Sequence, residues 1–443
     1  MAQLKSKKTS RAKRLKLFDG ISQLWSFEEF AEADGRHPER CELRSIPQAA
    51  MLVDAEGRVL WKGAKKNFRR EAKAWLGEKL ETISLSGSEV LPAFVEAHTH
   101  LLYAGDRSDE FERRNRGETY LQIAEAGGGI RRSVELTRRA SASQLKALLH
   151  QRLQELAQQG VATVEIKSGY AQSVDEELRH LHLIAGCVRA SRRQLNLPRV
   201  VGTALSAHSV PPGVPAAEWL RKVREGVWPK LPREIRRVDV FVEAGAFSRE
   251  DADLHLREAR RQGLEITVHA DQLSLSGGTD LGIKHQAMSV DHLIEITATQ
   301  RRALAQSADT VAMLLPVADV YARLPYPNAR ELIDAGARVA LATDHNPGTA
   351  PALDIALVGV LARTQMRMTL KETLCAYTYN AARALGLSAE TGCLRLGSSA
   401  DFIVLRKGAS LAQLFYEVGP QGASRVLAGT YRGGQRLAGS ATA

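Results

Sequence analysis

The sequence predicts an α/β protein, a (β/α)8 TIM barrel with a small β-sandwich domain built from the N- and C-terminal segments. Three observations predict this fold class. Apolar runs of strand length alternate regularly with amphipathic stretches of helical spacing. Eight such runs occupy the middle of the chain, which is the number of strands in such a barrel. Histidines and an aspartate end several runs, and the catalytic groups of a barrel gather at the carboxyl ends of its strands.

Each predicted strand is rich in aliphatic and β-branched residues and ends in a polar or Gly/Pro loop. The eight predicted strands are residues 91–98, 161–167, 200–207, 237–243, 264–269, 287–292, 309–315 and 338–343. Residues 143–157 and 249–261 lie between strands and place apolar side chains at helical spacing. This alternation of strands and helices predicts a parallel sheet.

The two ends of the chain follow a different pattern from the middle. Residues 50–63 predict a β-hairpin that turns at Gly57, and residues 397–405 and 425–435 predict short strands. We expect both ends to build one small β domain. Its two parts are residues 1–90 and 391–443, and the barrel spans residues 91–390.

Composition limits the classes of protein that fit. Of 443 residues, 44% are hydrophobic and only 5% are aromatic, which predicts a large aliphatic core. The four cysteines lack Cys-x-x-Cys spacing, which argues against a disulfide framework or a thiolate zinc site. No apolar stretch reaches the length of a membrane span, and the basic N-terminus lacks the apolar segment of a signal peptide. These features predict a cytoplasmic protein with no membrane partner.

The formal net charge of +11 raises the question of a nucleic-acid partner. Much of the excess lies in the N-terminal tail and in arginine pairs on predicted helix faces, without interleaved aromatic residues. We therefore expect no nucleic-acid partner. A positive field would favour an anionic small molecule as the substrate.

The most informative feature is the pair His98 and His100, which follows the apolar run at residues 91–95. Side chains two positions apart on a strand point to the same face, so both imidazoles converge on one point. A divalent metal there would compensate for burying two polar rings. His180 and His182 have the same spacing but lie in a segment of helical periodicity, where such residues do not face each other. We therefore predict a metal site at the first pair only.

Four more residues close strand-like runs and would reach the same end of the barrel. They are His208, His269, His292 and Asp344. His345 adjoins Asp344 but would point to the opposite face of the strand, so we expect it to have a structural or supporting role. The remaining histidines in polar or helical contexts are expected to lie at the surface or to be hydrogen-bonded: His37, His150, His255 and His285.

Several stretches of the barrel carry a family resemblance. They are residues 94–107, 127–130, 164–170, 269–272, 289–293 and 342–349. The order of His-x-His after strand one, His at strands five and six, and Asp at strand eight resembles the amidohydrolase superfamily. The longer motifs, such as Val164-Glu-Ile-Lys-Ser-Gly-Tyr170, resemble its imidazolonepropionase family. The resemblance covers roughly residues 91–396 and the later Ala400-Asp-Phe402.

The resemblance implies one divalent metal ion per chain, Zn²⁺ or Fe, held by His98, His100, His269 and Asp344. It implies contacts to substrate or product from Arg107, Tyr170, His208, Gln272, Asn346, Gly348 and Thr349. Such a ligand set leaves room for a water whose pKa the metal lowers to about 7. Nitrogen and oxygen ligands suit zinc and iron alike, so the sequence leaves the metal open.

The implied reaction is the hydrolytic ring opening of 4-imidazolone-5-propanoate to N-formimidoyl-L-glutamate in histidine degradation. His292 or His208 would stabilise the charge that develops on oxygen, while Asp344 would move a proton from water to the leaving nitrogen. Arg107 offers a planar fork for the propionate carboxylate. The resemblance also implies a homodimer.

Two alternatives remain at this point. A cyclic deaminase of the same superfamily would share the metal ligands but release ammonia, and a non-catalytic basic binding protein would have no use for a proton shuttle.

Strand four ends at Glu243 and not at a lysine that could bridge two metal ions, which favours one ion. Lys167 is expected to pack or pair, a role for Glu243 stays open, and residues 127–129 are expected to form a flexible loop beside the substrate.

Overall fold

The structure, a computed structural model, describes residues 15–118, 122–123, 126–419 and 425–437. Within these ranges the strands build two separate eight-stranded sheets. One sheet comes from both ends of the chain and the other from its middle. The N-terminal tail up to residue 14 and residues 119–121 of the segment after Arg107 lie outside the described residues.

The strands, in chain order, are β1 (Leu15–Trp25), β2 (Ser45–Val53), β3 (Val59–Ala64), β4 (Leu80–Ser84), β5 (Glu89–Pro92), β6 (Phe94–Glu96), β7 (Val161–Lys167), β8 (Arg199–Ala207), β9 (Ile235–Val242), β10 (Glu265–Ala270), β11 (Ser289–His292), β12 (Val311–Leu314), β13 (Val339–Leu341), β14 (Phe402–Leu405), β15 (Leu427–Arg432) and β16 (Gln435–Arg436).

The described α-helices are Glu28–Glu32, Phe68–Glu71, Ser108–Asn115, Ile130–Arg139, Ala142–Gln158, Val174–Arg193, Ala216–Lys222, Arg249–Arg261, Gly278–Lys284, Ala298–Gln306, Pro316–Ala322, Ala329–Ala335, Ile355–Thr364, Leu370–Tyr377 and Tyr379–Ala384. The helix predicted at residues 249–261 is confirmed, and the one predicted at 143–157 extends one residue further at each end. Among the described helices, none combines the length and apolar character needed to cross a bilayer.

The terminal sheet joins both ends of the chain in the order β16-β15-β14-β5-β1-β2-β3, with β4 paired beside β1. The predicted hairpin is the antiparallel pair β2 and β3, and Gly57 in its turn has a φ of 82°, which favours glycine. Strand β1 pairs with β4 along its first half and with β5 along its second half. The small β domain predicted from the two termini is confirmed, with its strands joined in one mixed sheet.

Strands β6 to β13 are parallel neighbours in chain order and form the barrel, as predicted. Backbone hydrogen bonds close the barrel just beyond β6 and β13. The N–H of Asp344 donates to the carbonyl of His98 at 3.1 Å, and the N–H of His100 donates to the carbonyl of His345 at 3.0 Å. The residues that close the barrel therefore include three residues of the predicted metal site.

The strand predicted at residues 91–98 is wrong, because this run forms two strands in different sheets, β5 and β6. The N–H of Ala93 donates to Asp401 in the terminal sheet at 3.1 Å, whereas the N–H of Phe94 donates to Gly160 beside the barrel at 2.9 Å. Both halves are buried, so the run is apolar throughout. The sequence therefore does not show where the chain passes from one sheet to the other. The other seven predicted strands are confirmed to within two residues at each end.

Candidate active site

A cavity of about 270 Å³ opens at the carboxyl ends of the barrel strands. Ten of the twelve residues predicted for the site line it: His100, Arg107, Tyr170, His208, His269, Gln272, His292, Asp344, Asn346 and Thr349. The other two adjoin it, since His98 is fully buried against Asp344 and Gly348 lies against Arg107. The fold thus brings the whole predicted set to one place.

Three imidazoles and one carboxylate converge within this cavity. The Nε2 atoms of His98 and His100 lie 3.4 and 3.2 Å from Asp344 Oδ1. His269 Nε2 lies 3.5 Å from His100 Nε2. Ligands held at about 2.1 Å around one tetrahedral ion stand about 3.3–3.5 Å apart. These three separations match that spacing. The donor atoms of His98, His100 and Asp344 form one group that could hold a metal ion, and those of His98, His269 and His292 form a second, overlapping group.

Two of these donors also lack a hydrogen-bond partner within the described part of the chain. They are His98 Nε2 and Asp344 Oδ1, and both atoms are buried. A buried polar atom without a partner is unfavourable, and buried groups of this kind are normally satisfied by protein, water or an ion. The cluster could therefore hold a metal ion, with these two atoms among its ligands.

The remaining two histidines of the predicted set flank this cluster. The ring of His208 stacks on that of His100, with centroids 5.0 Å apart and an interplanar angle of 17°. The ring of His292 lies 5.4 Å from that of His269 and 6.0 Å from that of His98. Both flanking rings also line the cavity, so both are exposed to a ligand bound there.

Two buried carboxylates hold the outer nitrogens of the cluster. Asp291 Oδ2 lies 2.6 Å from His98 Nδ1, and Asp239 Oδ1 lies 3.0 Å from His269 Nδ1. A carboxylate at Nδ1 fixes the ring orientation and leaves Nε2 as the free donor. These contacts orient two imidazoles so that their Nε2 atoms are free for the cluster.

Lys167 is a buried cation that pairs with Asp239, one of these two carboxylates. Its Nζ lies 2.8 Å from Asp239 Oδ2 and 3.0 Å from Glu165 Oε1. Burial opposes its charge, but Asp239 and Glu165 outweigh that effect and raise the pKa of Lys167. The prediction that Lys167 pairs is confirmed, and its charge compensates the carboxylate that holds His269.

Burial keeps most imidazoles of the site neutral near pH 7. It lowers the pKa of three of them well below the ordinary value: His98, His100 and His208. It also lowers the pKa of His292 to about 4. For His269, burial opposes the charge, but the adjacent Asp239 outweighs it and raises the pKa. Neutral imidazole is the form that binds metals, so burial favours metal binding at His98 and His100.

The backbone is strained where two site residues leave their strands. His292 has a φ of 83° and Asp344 a φ of 52°, in the left-handed region that residues other than glycine seldom adopt. Such strain persists where the surrounding structure holds it, and it is common at functional sites. Here it turns both side chains toward the cavity at the ends of β11 and β13.

Arg107 lies at the cavity wall and is oriented by Glu110. The Nε of Arg107 donates to Glu110 Oε2 at 2.8 Å, while Glu110 Oε1 accepts the N–H of Gly129 at 2.9 Å. The Nη1 side of the guanidinium lies against Gly348, where an added Cβ would come within 2.1 Å of Nη1. Glu110 therefore connects Arg107 to the loop at residues 127–129, which the sequence analysis predicts to lie beside the substrate.

The side chain of Asn346 organises the loop after β13. Its amide nitrogen donates to the carbonyl of Asp344 at 2.7 Å, and its Oδ1 accepts the N–H groups of Gly348 at 2.9 Å and Thr349 at 2.8 Å. Asn346 thereby fixes the backbone of Gly348 and Thr349 beside the cavity. It lines the cavity itself while making these contacts.

Two residues left open by the sequence lie behind the cavity wall. His345 is buried and its Nε2 lies 3.0 Å from the Tyr103 hydroxyl, outside the residues that line the cavity. Glu243 accepts the N–H of Leu273 at 2.8 Å and also bonds Ser274, so it anchors the loop that carries Gln272. Both residues support the site from outside.

His255 differs from its prediction as a surface or hydrogen-bonded residue. It is 1% exposed, packs against the Trp228 ring at 4.5 Å, and its Nδ1 is buried without a partner among the described residues. Its helix, Arg249–Arg261, turns this position inward. The polar residues next to it in sequence lie on other faces of the helix. They therefore did not indicate that His255 itself is buried.

Sequence analysis did not single out Asp239, Asp291 or Glu110. Asp239 carried a usable signal, because it is a charge within a strand whose other residues are mostly apolar. Asp291 carried less, because Val290 is the one apolar residue beside it in β11. Their partners could not be predicted, because each contact joins two different segments. Asp239 on β9 contacts His269 on β10, and Asp291 on β11 contacts His98 after β6. Glu110 gave no such signal, because acidic residues are common in the first turn of a helix.

Solved structures share this architecture. Atrazine chlorohydrolase TrzN from Arthrobacter aurescens TC1 aligns with a TM-score of 0.66 and 16% identity over 95% of both chains. Guanine deaminase from E. coli aligns with a TM-score of 0.63 and 15% identity over 96% of this chain and 98% of that one. At these identities the similarity establishes the fold.

Sequence relatives are much more similar. The imidazolonepropionase of Bdellovibrio bacteriovorus is 42% identical over 91% of this chain and 93% of its own length. The imidazolonepropionase of Agrobacterium fabrum is 40% identical over 80% of this chain and 84% of its own. The profile of the amidohydrolase family matches residues 90–427. The chain therefore belongs to the amidohydrolase family and, within it, groups with the imidazolonepropionases.

Proposed function

We propose that this protein opens the ring of 4-imidazolone-5-propanoate by hydrolysis, giving N-formimidoyl-L-glutamate in histidine degradation. The observation that carries the proposal is a single cavity that joins the buried His/Asp cluster to Arg107. The cluster suits amide hydrolysis, and a guanidinium suits the carboxylate of a short acid. Imidazolonepropionases that share 37–42% identity with this chain support the same substrate.

One divalent metal ion, Zn²⁺ or Fe, is proposed for the four donors His98, His100, His269 and Asp344. A metal ion held by these residues would lower the pKa of a water to about 7 and so would make hydroxide available at neutral pH. Asp291 and Asp239 hold the Nδ1 atoms of two of the rings. Lys167 already supplies a positive charge beneath the cluster, which supports one metal ion and not two.

The substrate is proposed to lie between the cluster and Arg107. The Arg107 guanidinium binds the propionate carboxylate, because its planar fork matches two carboxylate oxygens. The ring then lies toward the cluster, within reach of Tyr170 and Gln272. On the other wall, the loop that Asn346 holds presents Gly348 and Thr349 to the substrate or product.

Asp344 is proposed to take a proton from the attacking water and deliver it to the departing ring nitrogen. The neutral ring of His292 donates a hydrogen bond to the carbonyl oxygen as negative charge develops there, and His208 shares this role. The carbon–nitrogen bond of the ring amide breaks. The water supplies a hydroxyl to the carbonyl carbon and a proton to the nitrogen, so both atoms of the broken bond are satisfied.

Three further features belong to the proposal. We place the enzyme in the cytoplasm, supported by four cysteines that are all free in the structure. We expect a homodimer, from the family resemblance, and sedimentation analysis measures it directly. The partner in the site is a small anion, and no nucleic-acid partner is expected, because the excess positive charge lies apart from any recognised nucleic-acid motif.

An ultraviolet assay tests the proposal. Urocanase generates the substrate from urocanate in the cuvette, and the metal-replete protein is expected to accelerate its loss. His269→Ala removes one proposed metal ligand and is expected to abolish both turnover and stoichiometric metal binding. The matched control is His150→Ala, which replaces an exposed histidine and is expected to leave both unchanged.

The contrary result is equally clear. If the protein binds one metal ion per chain but leaves 4-imidazolone-5-propanoate intact, the substrate assignment is wrong. Release of ammonia from other ring substrates would then identify a deaminase.

A further inference from the structure

Two neighbouring loops of the barrel share a single buried carboxylate. The loop after β7 carries Tyr170, and the loop after β8 carries His208. Glu177 lies in the first turn of the helix Val174–Arg193, is 1% exposed, and lies outside the residues that line the cavity. It therefore has no direct contact with a ligand in the cavity, and its buried charge calls for another explanation.

The contacts of Glu177 lead to both loops. Its Oε1 accepts hydrogen bonds from the hydroxyls of Ser168 and Ser206, the latter at 3.0 Å. Ser168 stands two residues before Tyr170, and Ser206 stands two residues before His208. One carboxylate oxygen thus bonds equivalent positions in the approach to both side chains.

Other contacts lock the same two loops together. The hydroxyl of Ser168 also accepts the N–H of Leu205 at 2.9 Å, and the amide of Gln172 donates to the Ser209 hydroxyl at 2.9 Å. Gly169 has a φ of 123°, and an added Cβ would come within 2.9 Å of His208 Nδ1. The His208 ring is thus packed against the backbone next to Tyr170.

The rings of Tyr170 and His208 are neighbours within the cavity as a result. Their centroids lie 5.6 Å apart, and the His208 ring stacks in turn on His100. A shift of either loop would change the separation of these rings and the room left for a substrate. Rates respond steeply to such shifts, since a displacement of about 1 Å can lower a rate about 100-fold.

We propose that Glu177 is a positioning residue that sets the placement of Tyr170 and His208 relative to each other by bonding Ser168 and Ser206. This inference rests on the proposed function, which assigns both rings to the substrate. Burial raises the pKa of Glu177 to about 6, against the opposing effect of the serine hydrogen bonds. The carboxylate is therefore largely ionised near pH 7, the form that accepts both hydroxyl donors most strongly.

Kinetics of Glu177→Ala and Glu177→Gln test the proposal. Glu177→Ala is expected to lower kcat/KM by about 10- to 100-fold, because both rings lose their common anchor. Glu177→Gln retains an amide oxygen that accepts both serine hydroxyls and is expected to recover most of the activity. The matched control is Glu176→Ala on the same helix, whose carboxylate bonds Arg179 at 2.9 Å and not the serine hydroxyls that bond Glu177. Metal content is expected to stay unchanged in all three.

A double-mutant cycle separates positioning from a general loss of stability. If Glu177 acts through His208, then Glu177→Ala lowers kcat/KM much less in a His208→Ala background than in the wild type. Equal losses in both backgrounds, or a Glu177→Ala variant as active as Glu176→Ala, would overturn the proposal.

A crystal structure of Glu177→Ala tests the placement without any substrate. The expected result is a changed separation of the Tyr170 and His208 rings with the His98 and His269 cluster in place. Unchanged rings would overturn the inference even if the enzyme acts as proposed. Failure of the wild type to consume 4-imidazolone-5-propanoate would instead overturn the proposed function, and the ring positions would still decide the role of Glu177.

Discussion

Arg107 lines the cavity, and its guanidinium is held between Glu110 and Gly348. The Nη2 atom lies 2.7 Å from Glu110 Oε2, and the Nη1 side lies against Gly348. A lysine would keep the positive charge but lose the planar fork that Glu110 orients. The geometry of this residue, and not its charge alone, is therefore expected to determine substrate affinity.

We expect Arg107→Lys to raise KM for 4-imidazolone-5-propanoate by about 10-fold or more, with a smaller change in kcat. Steady-state kinetics measures both constants. Arg116→Lys is the control. Arg116 directly follows the helix Ser108–Asn115 that Arg107 precedes, and its side chain is 73% exposed beside Glu112. Equal KM values for Arg107→Lys and the wild type would contradict the carboxylate-binding role.

Gly348 permits the position of Arg107. Because an added Cβ would come within 2.1 Å of Nη1, we expect Gly348→Ala to displace the guanidinium and raise KM by about 10-fold, with little change in stability. Gly186→Ala is the control, since the one atom of the described residues that its Cβ would meet is Arg189 Nη2, at 4.0 Å. Should KM stay at the wild-type value in Gly348→Ala, the substrate carboxylate binds elsewhere.

At the residue scale, the sequence predicts which side chains gather but leaves their partners unknown. His98 and His100 could be found because strand spacing and an apolar approach are local features. The contact of His98 with Asp291 depends on how the barrel closes, which no local pattern records. The same holds for Glu177, because one of its two serines lies just beyond β7 and the other lies on β8.

Among the elements, strand β9 supports the site from below. Asp239 on β9 bonds His269 on β10 with one oxygen and Lys167 on β7 with the other. Strands β7, β9 and β10 are thereby joined through buried charges next to the proposed metal ligands. The orientation of His269 depends on this arrangement.

We expect Asp239→Asn to weaken metal binding by about 10- to 100-fold, because the amide orients His269 less strongly and leaves Lys167 with one anionic partner fewer. Competition with a chelator measures the metal Kd without reference to activity. Asp175→Asn, at an exposed position in the helix Val174–Arg193, is the control. A metal Kd that is the same for wild type and Asp239→Asn would show that Asp239 has no part in holding the metal.

At the element scale, the regular parts of the chain could be predicted and the change of sheet could not. The helix Arg249–Arg261 follows from its apolar spacing, and its cap follows from Ser248, whose side chain accepts the N–H of Asp251. The break between β5 and β6 has no comparable signal. A run buried in either sheet looks the same in sequence, and only the partners at Asp401 and Gly160 distinguish its two halves.

Across the whole molecule, buried histidines outside the site are expected to make the fold sensitive to acid. Burial lowers the pKa of His180 and His255 to about 3. In the unfolded chain both titrate near the ordinary value of about 6.5. Below that pH the unfolded state binds protons that the folded state does not, so stability falls as the pH falls from 6.5 toward 3.

We expect His255→Phe to reduce this loss by about 2 kcal/mol between pH 7 and pH 5, because one buried imidazole no longer titrates on unfolding. Phenylalanine retains a ring beside Trp228. Urea unfolding at both pH values measures the free energy of unfolding. His150→Gln, at an exposed position, should keep the wild-type difference. An equal loss in wild type and His255→Phe would refute the titration of His255.

The fold of the whole molecule was predictable because barrel strands pair with their neighbours in sequence. The terminal sheet was predictable only as a small β domain. Its central pairing sets β14 against β5, with Ile403 opposite Leu91, across more than three hundred residues. Strand order between such distant segments follows from packing on the barrel and not from turn residues or periodicity.

The most direct test of the central claim is the mass of the product formed in water labelled with heavy oxygen. The proposed hydrolysis predicts one labelled oxygen in the new carboxylate of N-formimidoyl-L-glutamate, with both ring nitrogens retained and no ammonia released. A product that has lost a nitrogen, with ammonia in equal amount, would contradict ring opening and identify the protein as a deaminase.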